Sequence, residues 1–212
     1  NIDGIRDSVL GDIYHSQIVE VSRPSANTFF TGNNQEAYWR AKNGYSQWAN
    51  SNSKRLRTLY VGANDGMLHA FDALTGKERW AFVPPFIASK LPEMVNESLD
   101  DIKGGGTNSI FAVDGSPVIH DMYIRGIKPN GQWETEGTKS WHTILFIPYG
   151  RGGRGFSVLD VTDPLTPHHI FSIFNDWDRK KVMIAKQDGT IINGYPEDIV
   201  DGLTYTGCLL YT

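Results

Sequence analysis

Histidine and aspartate side chains could provide a metal site or an acid–base pair, yet their spacing in this sequence predicts structural roles. None of the six His has a ligand spacing such as H-E-x-x-H. His168 and His169 are adjacent in a predicted strand, so their side chains point to opposite faces. Asp65 and Asp72 each begin a turn, where a carboxylate usually caps the backbone. The same interpretation applies to two further aspartates, Asp160 and Asp163.

Two glycine-rich stretches could bind an anion. Gly104-Gly105-Gly106 lacks the Lys-Ser/Thr and the following helix of a phosphate loop, so we expect a linker. In YGRGGRG the backbone N–H groups and the guanidiniums of Arg151 and Arg154 could form an anion contact, although a hairpin turn with solvated arginines is the simpler interpretation. Ser157 follows in GFS, which is not the G-x-S-x-G of a hydrolase nucleophile elbow.

The polar segment from Ser22 to Lys54 carries large aromatic side chains at six positions, Phe29, Phe30, Tyr38, Trp39, Tyr45 and Trp48. Loops this long are usually functional or disordered, and the aromatic content argues against disorder. Two interpretations stay open. The rings either anchor a long loop to the body of the protein or form a partner-binding surface, for which large rings give contact area at low entropic cost. Within the segment, Glu36 to Lys42 is predicted to form a short helix.

Composition and charge exclude several classes of protein. The chain has 212 residues, 40% hydrophobic and 12% aromatic, with 22 Gly and 10 Pro, which favours strands joined by tight turns. Its formal net charge of −4 and scattered Lys and Arg give no basic surface for nucleic acid. No apolar run is long enough to span a membrane. The single Cys, Cys208, excludes an internal disulfide.

The elements that position these side chains are organised around LYVGANDGMLHAFDALTGKERW, Leu59 to Trp80. Leu59, Val61 and Ala63 alternate with other residues as in a half-buried strand. Asn64-Asp65-Gly66 is a strong hairpin signal, and a second turn runs from Asp72 to Gly76. Pro84-Pro85 ends a third strand because neither residue can donate to a ladder. The stretch therefore predicts a three-stranded antiparallel meander in which Gly66 or Gly76 has positive φ.

The two halves of the chain resemble each other. Leu59-Tyr60-Val61 recurs as Leu145-Phe146-Ile147, and Phe71-Asp72-Ala73 recurs as Leu159-Asp160-Val161. Ahead of these, Ser16 to Val19 recurs as Ser116 to Ile119. Four antiparallel strands in each repeat are typical of a β-propeller blade. We expect segments 58–83 and 142–174 to be matching blade sheets, with Trp80 and Phe171 at equivalent places.

These repeats divide the chain into blades. We expect a first blade over residues 1–85 with a long insertion at 22–54, a connector at 86–109, a second blade over 110–176, and at 177–212 a hairpin and the start of a further blade. A propeller closes with roughly four to eight blades. The fold class is therefore all-β, an incomplete propeller of four-stranded antiparallel blades with long loop insertions, and the chain is expected to be a fragment.

Several motifs together resemble a known family. VGANDGMLHAFDALTGKERWAFVPP is similar to the repeat of quinoprotein-like propellers and, more closely, to the C-terminal domain of PilC/PilY proteins. GDIYHSQIVEV precedes this stretch, and FAVDGSPVIHDMYI and GRGGRGFSVLDVTDP follow it in the same order as in that family. The combination is much more specific than the meander alone. The resemblance covers roughly residues 9 to 176.

The resemblance implies a seven-bladed propeller in a protein associated with the tip of bacterial type IV pili, at the cell surface or outside the cell of a Gram-negative bacterium. It implies an adhesive N-terminal domain in the parent protein, minor pilins or other pilus-tip components as partners, and contact with a host or abiotic surface. It also implies a calcium loop of the D-x-D-x-D-x-x-x-D kind. Only the beginning of such a loop occurs here, at Asn175 to Asp178, and Lys180 and Lys181 follow. No cofactor is therefore expected in this segment, and calcium is expected beyond Thr212 in the parent.

Three functions remain to be separated. The leading hypothesis is a non-enzymatic propeller that acts in pilus assembly, in the balance of extension and retraction, and in adhesion. The alternatives are a pyrroloquinoline-quinone dehydrogenase and an outer-membrane assembly scaffold. Such dehydrogenases use a vicinal Cys-Cys pair over the cofactor, whereas this chain has Cys208 alone. The absorbance of bound quinone in the purified protein would identify the enzyme.

Overall fold

Two antiparallel sheets form the framework of the described residues, which in this computed structural model are 10–88, 111–176 and 181–195. The first sheet has the order β1-β2-β3-β4 and consists of β1 (Val19–Val21), β2 (Thr58–Gly62), β3 (Leu68–Asp72) and β4 (Glu78–Phe82). The second has the order β10-β9-β8-β7-β6-β5 and consists of β5 (Val118–Ile124), β6 (Ser140–Pro148), β7 (Gly155–Asp160), β8 (His168–Asp176), β9 (Lys181–Lys186) and β10 (Ile191–Tyr195). The described residues contain no helix long and apolar enough to cross a membrane.

The meander folds as its turns predict. Gly66 and Gly76 have φ values of 87° and 70°, a region that a β-branched side chain strongly disfavours. The first connection is a three-residue loop, because Ala63 N donates to Met67 O at 3.1 Å. Gly66 is the last residue of this loop, the position at which three-residue hairpins most often require a left-handed residue.

The two sheets repeat the same register. Ala70 pairs with Trp80 between β3 and β4, and Val158 pairs with Phe171 between β7 and β8. At the rung that follows each pair, the register shifts by one residue. Segments 58–83 and 142–174 are therefore matching sheets, and the predicted equivalence of Trp80 and Phe171 is confirmed.

The match predicted for the first strand of each sheet was wrong by one residue. Val19 pairs with Tyr60, and Val118 pairs with Phe146. Because Tyr60 and Phe146 are equivalent, Val19 corresponds to Val118 and not to Ile119. A shift of one residue moves a side chain to the other face of a sheet. Aligning Ser-Gln-Ile-Val with Ser-Pro-Val-Ile by residue similarity therefore gives a register that is wrong by one residue.

The core lies between the two sheets. Tyr60 and Ala70 of the first sheet belong to the same buried cluster as Leu145 and Ile147 of the second. Tyr60 is equivalent to Phe146, whose side chain lies on the face opposite to Leu145 and Ile147. Opposite faces of equivalent sheets thus pack together, as they do when blades follow one another around a propeller.

Two segments of the quoted family motifs lie outside the strands, although each leads directly into the first strand of its sheet. Residues 13–18 lie outside the ladder, and Gln17 N donates to Ser116 Oγ at 3.1 Å instead. Residues 111–117 are irregular because Gly115 and Pro117 interrupt the strand pattern, although Ala112 and Val113 enter the core.

The hairpin around Gln187-Asp188-Gly189 pairs through β9 with β8, so it extends the second sheet to six strands. The expected linker at Gly104-Gly105-Gly106, most of the 86–109 connector and the expected further blade at Gly202 to Tyr211 lie outside the described residues.

Candidate partner-binding site

The inserted segment 22–54 contains two helices, α1 (Gln35–Lys42) and α2 (Tyr45–Ser51). Asn34 caps α1 by accepting from Ala37 N at 3.0 Å, and Arg40 pairs with Glu36 one turn away at 2.7 Å. The short helix predicted over Glu36 to Lys42 is confirmed. The sequence did not predict α2, because YSQWANS has weak intrinsic helix propensity.

The second helix is anchored on the second sheet through aromatic contacts. Tyr45 is 1% exposed, and its ring centroid lies 4.9 Å from that of Trp141 in β6. The half-buried ring of Trp48 lies 6.2 Å from that of Trp141. Trp141 Nε1 also donates to Asn43 O at 2.8 Å. For Tyr45 and Trp48, the structure places the rings where an anchoring role requires them.

Hydrogen bonds reinforce this anchor. Tyr45 Oη donates to Asp121 Oδ2 at 2.5 Å and accepts from Ala26 N at 3.1 Å. Thr143 Oγ1 donates to Asp121 Oδ1 at 2.7 Å, and Arg55 Nη1 donates to Thr143 Oγ1 at 2.6 Å. Burial, aided by the hydrogen bond to Asp121, raises the pKa of Tyr45 to about 12. The phenol therefore remains protonated at neutral pH and holds the inserted segment to β5.

Four of the six predicted aromatic side chains remain open to solvent. We call them the exposed aromatic group, and their exposed fractions are 74% for Phe29, 41% for Phe30, 44% for Tyr38 and 47% for Trp39. The ring centroids of Phe30 and Tyr38 are 5.3 Å apart. The Lys42 ammonium lies 5.9 Å from the centroid of the Tyr38 ring. The segment thus has an anchored end at α2 and an aromatic, solvent-facing end around α1.

A groove of about 530 Å³ separates α1 from the edge of the second sheet. Tyr38 and Trp39 line one side, and Trp141 together with the consecutive residues His120–Ile124 of β5 lines the other. Since side chains alternate along a strand, a groove on one face would be lined by every second residue. Lining by consecutive residues shows that this groove follows the edge of β5.

A buried histidine between two carboxylates is the strongest electrostatic feature of the first sheet. His69 is fully buried, with Nδ1 2.6 Å from Glu78 Oε1 and Nε2 2.9 Å from Asp65 Oδ2. Burial alone would lower the pKa of His69, but the hydrogen bonds and charges of Asp65 and Glu78 outweigh it and raise the pKa. Burial alone would raise the pKa of Asp65, but the hydrogen bond and the charge interaction with His69 help to outweigh burial, and the pKa of Asp65 is lowered. The His69 side chain thus ties two strands and a turn together.

A second histidine cluster contains a Ser–His–Asp arrangement. His142 Nδ1 lies 2.6 Å from Asp160 Oδ2 as an ion pair without aligned hydrogen-bond geometry, and Nε2 lies 2.8 Å from Ser140 Oγ. Burial alone would lower the pKa of His142, but Asp160 and Glu134 raise it. Ser140 Oγ donates its own proton to Glu134 Oε1 at 2.5 Å. The hydroxyl therefore donates its proton to a carboxylate and not to the imidazole, which is the opposite of an activated nucleophile.

The remaining predicted site residues take structural or solvent-facing positions. Asp72 Oδ1 accepts from Leu74 N at 2.8 Å, as a turn cap should, and a hydrogen bond from Arg79 contributes to lowering the pKa of Asp72 to about 2. Asp160 and Asp163 accept from the backbone N–H two residues later at 3.0 and 2.9 Å. Ser157 is buried in a hydroxyl chain with Tyr149 and Ser172.

Arg151 and Arg154 are both exposed, and the first lies in a 3₁₀ turn, Gly150–Gly152. Their role as an anion contact stays a prediction. Across residues 10–88, 111–176 and 181–195, no group of three or more His, Cys, Asp or Glu side chains could hold a metal ion. Part of the stretch proposed as the beginning of a calcium loop, 177–178, lies outside the described residues.

Sequence reasoning missed the residues that receive the inserted segment. Trp141 and Asp121 are far from Tyr45 along the chain, so no local pattern connects them. Arg55 is nearer in sequence, but its acceptor Thr143 lies in β6. The His69 cluster did leave a signal, because Asp65 lies within the hairpin loop and His69 follows it by four residues on β3. A turn-capping role for Asp65, which accepts from Met67 N at 3.2 Å, concealed its second role as a histidine partner.

Comparisons with known proteins agree on one family. The sequence profile described as "PilY1 beta-propeller domain" matches residues 10–189. The chain is 36% identical over 160 residues to the type IV pilus biogenesis factor PilY1 homolog of Xylella fastidiosa, covering 76% of this chain and 11% of that protein. It is also 36% identical over 166 residues to the type IV pilus biogenesis factor PilY1 of Pseudomonas aeruginosa strain UCBPP-PA14, covering 77% of this chain and 12% of that protein.

Among solved structures, the crystal structure of the Pseudomonas aeruginosa PilY1 C-terminal domain aligns with a TM-score of 0.44 at 23% identity. The alignment covers 84% of this chain and 38% of that one. The chain thus spans about a tenth of the length of the curated relatives that it matches.

Proposed function

The chain belongs to the PilY1 β-propeller family, and we propose that it is a non-enzymatic propeller module of a type IV pilus tip-associated protein. Its role is in pilus assembly, in the balance of pilus extension and retraction, and in surface adhesion. The relatives support the pilus role, since they are named type IV pilus biogenesis factors. The whole protein would act outside the cell or at its surface, with an adhesive N-terminal domain and calcium bound outside this segment.

The exposed aromatic group is the observation that carries the proposal. Phe29, Phe30, Tyr38 and Trp39 lie on an insertion whose other end is fixed to the second sheet. Aromatic side chains are enriched at protein interfaces and lose little conformational entropy on binding. A rigidly anchored aromatic surface on a propeller suits the capture of another protein. We therefore assign partner binding to this surface, with minor pilins or other tip components as the partner.

Replacing three of these side chains in the whole gene tests the proposal. The triple variant Phe29→Ser, Tyr38→Ser and Trp39→Ser should reduce the number of surface pili per cell in the piliated host by about tenfold, because interface aromatics contribute much of the binding energy. The matched control replaces Leu74, Trp133 and Leu165 by Ser. These residues are comparably exposed, at 79%, 39% and 56%, and lie outside the inserted segment.

The stability of the purified chain decides between loss of binding and loss of fold. The two triple variants should unfold at the urea concentration of the unchanged chain, because exposed side chains contribute little to stability. Equal numbers of pili in the two triple variants would overturn the assignment of partner binding to the exposed aromatic group.

A further inference from the structure

We propose that the free edge of β5 binds an extended peptide segment bearing a carboxylate. The binding site is a trough, formed by the groove beside α1 and a smaller cavity that adjoins it along the strand. This inference rests on the proposed role of the 22–54 segment in partner binding, and it specifies the chemistry of the partner segment.

The trough follows a strand edge that is unoccupied within the described part of the chain. There, β6 is the only strand that pairs with β5, and the register between them is regular from Val118 to Ile124. The smaller cavity is lined by Ile119, His120 and Asp121, and the groove continues from His120 to Ile124. An edge strand offers a row of unpaired N–H and C=O groups as a template for another strand. The edge of β5 carries no Pro, Lys or bulge that would prevent such pairing.

The groove at the Ile124 end of the trough is apolar. Trp39 and Tyr38 of α1 face Met122 and Ile124 of β5, and Trp141 is also part of the lining. A peptide that extends the sheet would place alternate side chains toward this aromatic wall. Backbone pairing then supplies affinity, and the wall selects large apolar side chains.

The cavity at the Ile119 end is small, about 290 Å³, and its lining includes three arginines, Arg23, Arg40 and Arg55. Arg23 makes no hydrogen bond or ion pair with any residue that the structure describes. Arg55 donates to Ser22 O and to Thr143 Oγ1, so neither acceptor is a carboxylate. Arg40 is paired with Glu36.

Two carboxylates also line the cavity, and both are already engaged. Glu20 pairs with Arg57 at 2.7 Å, and Asp121 accepts from Tyr45 and Thr143. The exposed imidazole of His120 adds a further donor at the strand edge. The cavity therefore complements a carboxylate, which can accept from planar guanidiniums in a directed geometry. A peptide fits both parts of the trough if it has an acidic side chain or its C-terminal carboxylate at one end and large apolar side chains next to it.

Peptide binding to the purified chain tests the inference. The probes are two fluorescein-labelled octapeptides of alternating Thr and Trp, one with Asp at the amino end and one with Asp at the carboxyl end, because the strand could pair in either direction. Fluorescence anisotropy should show saturable binding of one of them, weakening at higher salt as an ion pair requires. The same peptide with Lys in place of Asp should bind at least tenfold more weakly. So should the peptide with a central Pro, which cannot donate to a ladder.

Variants locate the bound peptide. Trp39→Ala and Arg23→Glu should each weaken binding by about tenfold, since each removes a main contact of one end of the trough. The matched controls are Trp133→Ala and Lys77→Glu, which alter an exposed Trp and an exposed cationic side chain elsewhere and should leave the affinity unchanged. Hydrogen exchange should show new protection of backbone amides within residues 118–124 when the peptide is bound.

Other outcomes overturn the inference. No saturable binding, equal binding of the Asp and Lys peptides, or protection outside β5 would each do so. A concentration-dependent dimer that protects β5 without peptide would show that a second copy occupies the edge instead. If peptide binding fails while the exposed aromatic variant still loses pili, the trough is wrong and the pilus proposal stands. If the peptide binds and the exposed aromatic variant keeps its number of pili, the trough is right and the pilus proposal is wrong.

Discussion

The two aspartates at the turns of the first sheet follow their predicted roles only in part. The sequence correctly assigns Asp72 to a turn cap, because the acceptor and the N–H groups it bonds are two and three residues apart. It assigns Asp65 the same role and misses His69, although both oxygens of Asp65 lie within 3.0 Å of His69 Nε2. Local capping rules describe contacts between near neighbours, whereas the third member, Glu78, reaches His69 only after β4 pairs with β3.

The His69 cluster makes stability depend on pH in a defined direction. The pKa of His69 is raised above 6.5, so its contribution is complete below about pH 6.5 and is lost as the pH rises through the folded-state pKa. The pKa of Asp65 is lowered below 3.8, so its contribution is lost only when the pH falls through that lower value. His69→Gln should lower the free energy of unfolding at pH 6 by roughly 3 kcal/mol, because it leaves two carboxylates near a buried site without their counter-charge.

Urea unfolding at a series of pH values measures this effect. Between pH 6.5 and 9 the free energy of unfolding should fall more steeply for the unchanged chain than for His69→Gln. His120→Gln is the control for the loss of one His, since it replaces an exposed side chain. Parallel slopes in the unchanged chain and His69→Gln would show that His69 is neutral in the folded protein.

At the scale of elements, the strands were predictable and their partners less so. Alternation and turn residues located the meander, because those signals are local. The hairpin at Gln187-Asp188-Gly189 was also located, but its addition to β8 depends on a strand distant in sequence. The first helix of the insertion has a cap and a salt bridge to mark it, whereas the second is specified by Trp141, which lies in another blade. Packing against Trp141 thus specifies α2, which intrinsic helix propensity does not predict.

The anchor of that second helix predicts a stability difference between two tyrosines. Tyr45→Phe removes the donor to Asp121 and should lower the free energy of unfolding by about 1–3 kcal/mol, because the carboxylate keeps its burial and loses a partner. Tyr38→Phe removes a hydroxyl from a side chain that is 44% exposed, and it should change the free energy of unfolding by less than about 0.5 kcal/mol. Limited proteolysis should cut segment 22–54 faster only in Tyr45→Phe, and equal cutting would mean that the hydrogen bond does not hold the insertion.

At the scale of the whole molecule, one face of the second sheet is only partly covered by the residues that the structure describes. Leu145 and Leu159 on one face pack against the first sheet, while Val118 and Ile192 on the other are 57% and 38% exposed. The rings of Phe156 and Phe171 lie 5.9 Å apart on this second face and are half-buried. The first sheet uses the equivalent face to bury Tyr60 and Ala70 against its neighbour. An apolar face left in this state is typical of an interaction surface.

Charge placed on that face should reduce its affinity for apolar dyes. The double variant Val118→Glu and Ile192→Glu should bind 1-anilinonaphthalene-8-sulfonate about half as strongly as the unchanged chain, because two exposed apolar side chains are replaced and no cationic partner for the sulfonate is added. Leu74→Glu, which alters a side chain 79% exposed on a turn, should leave dye fluorescence unchanged. Identical fluorescence in the double variant and the unchanged chain would mean that the dye binds elsewhere.

The matched register shifts after Ala70 and Val158 bear on how this protein arose. A bulge is a one-residue insertion that reverses the facing of every later side chain on its strand. Two unrelated hairpins would have to acquire it separately at the same rung, whereas one ancestral hairpin that was duplicated passes it on to both copies. The connections differ most between the copies, and segment 22–54 is the largest in the first copy. Common descent of the two blades is therefore recorded more faithfully in backbone geometry than in residue identity.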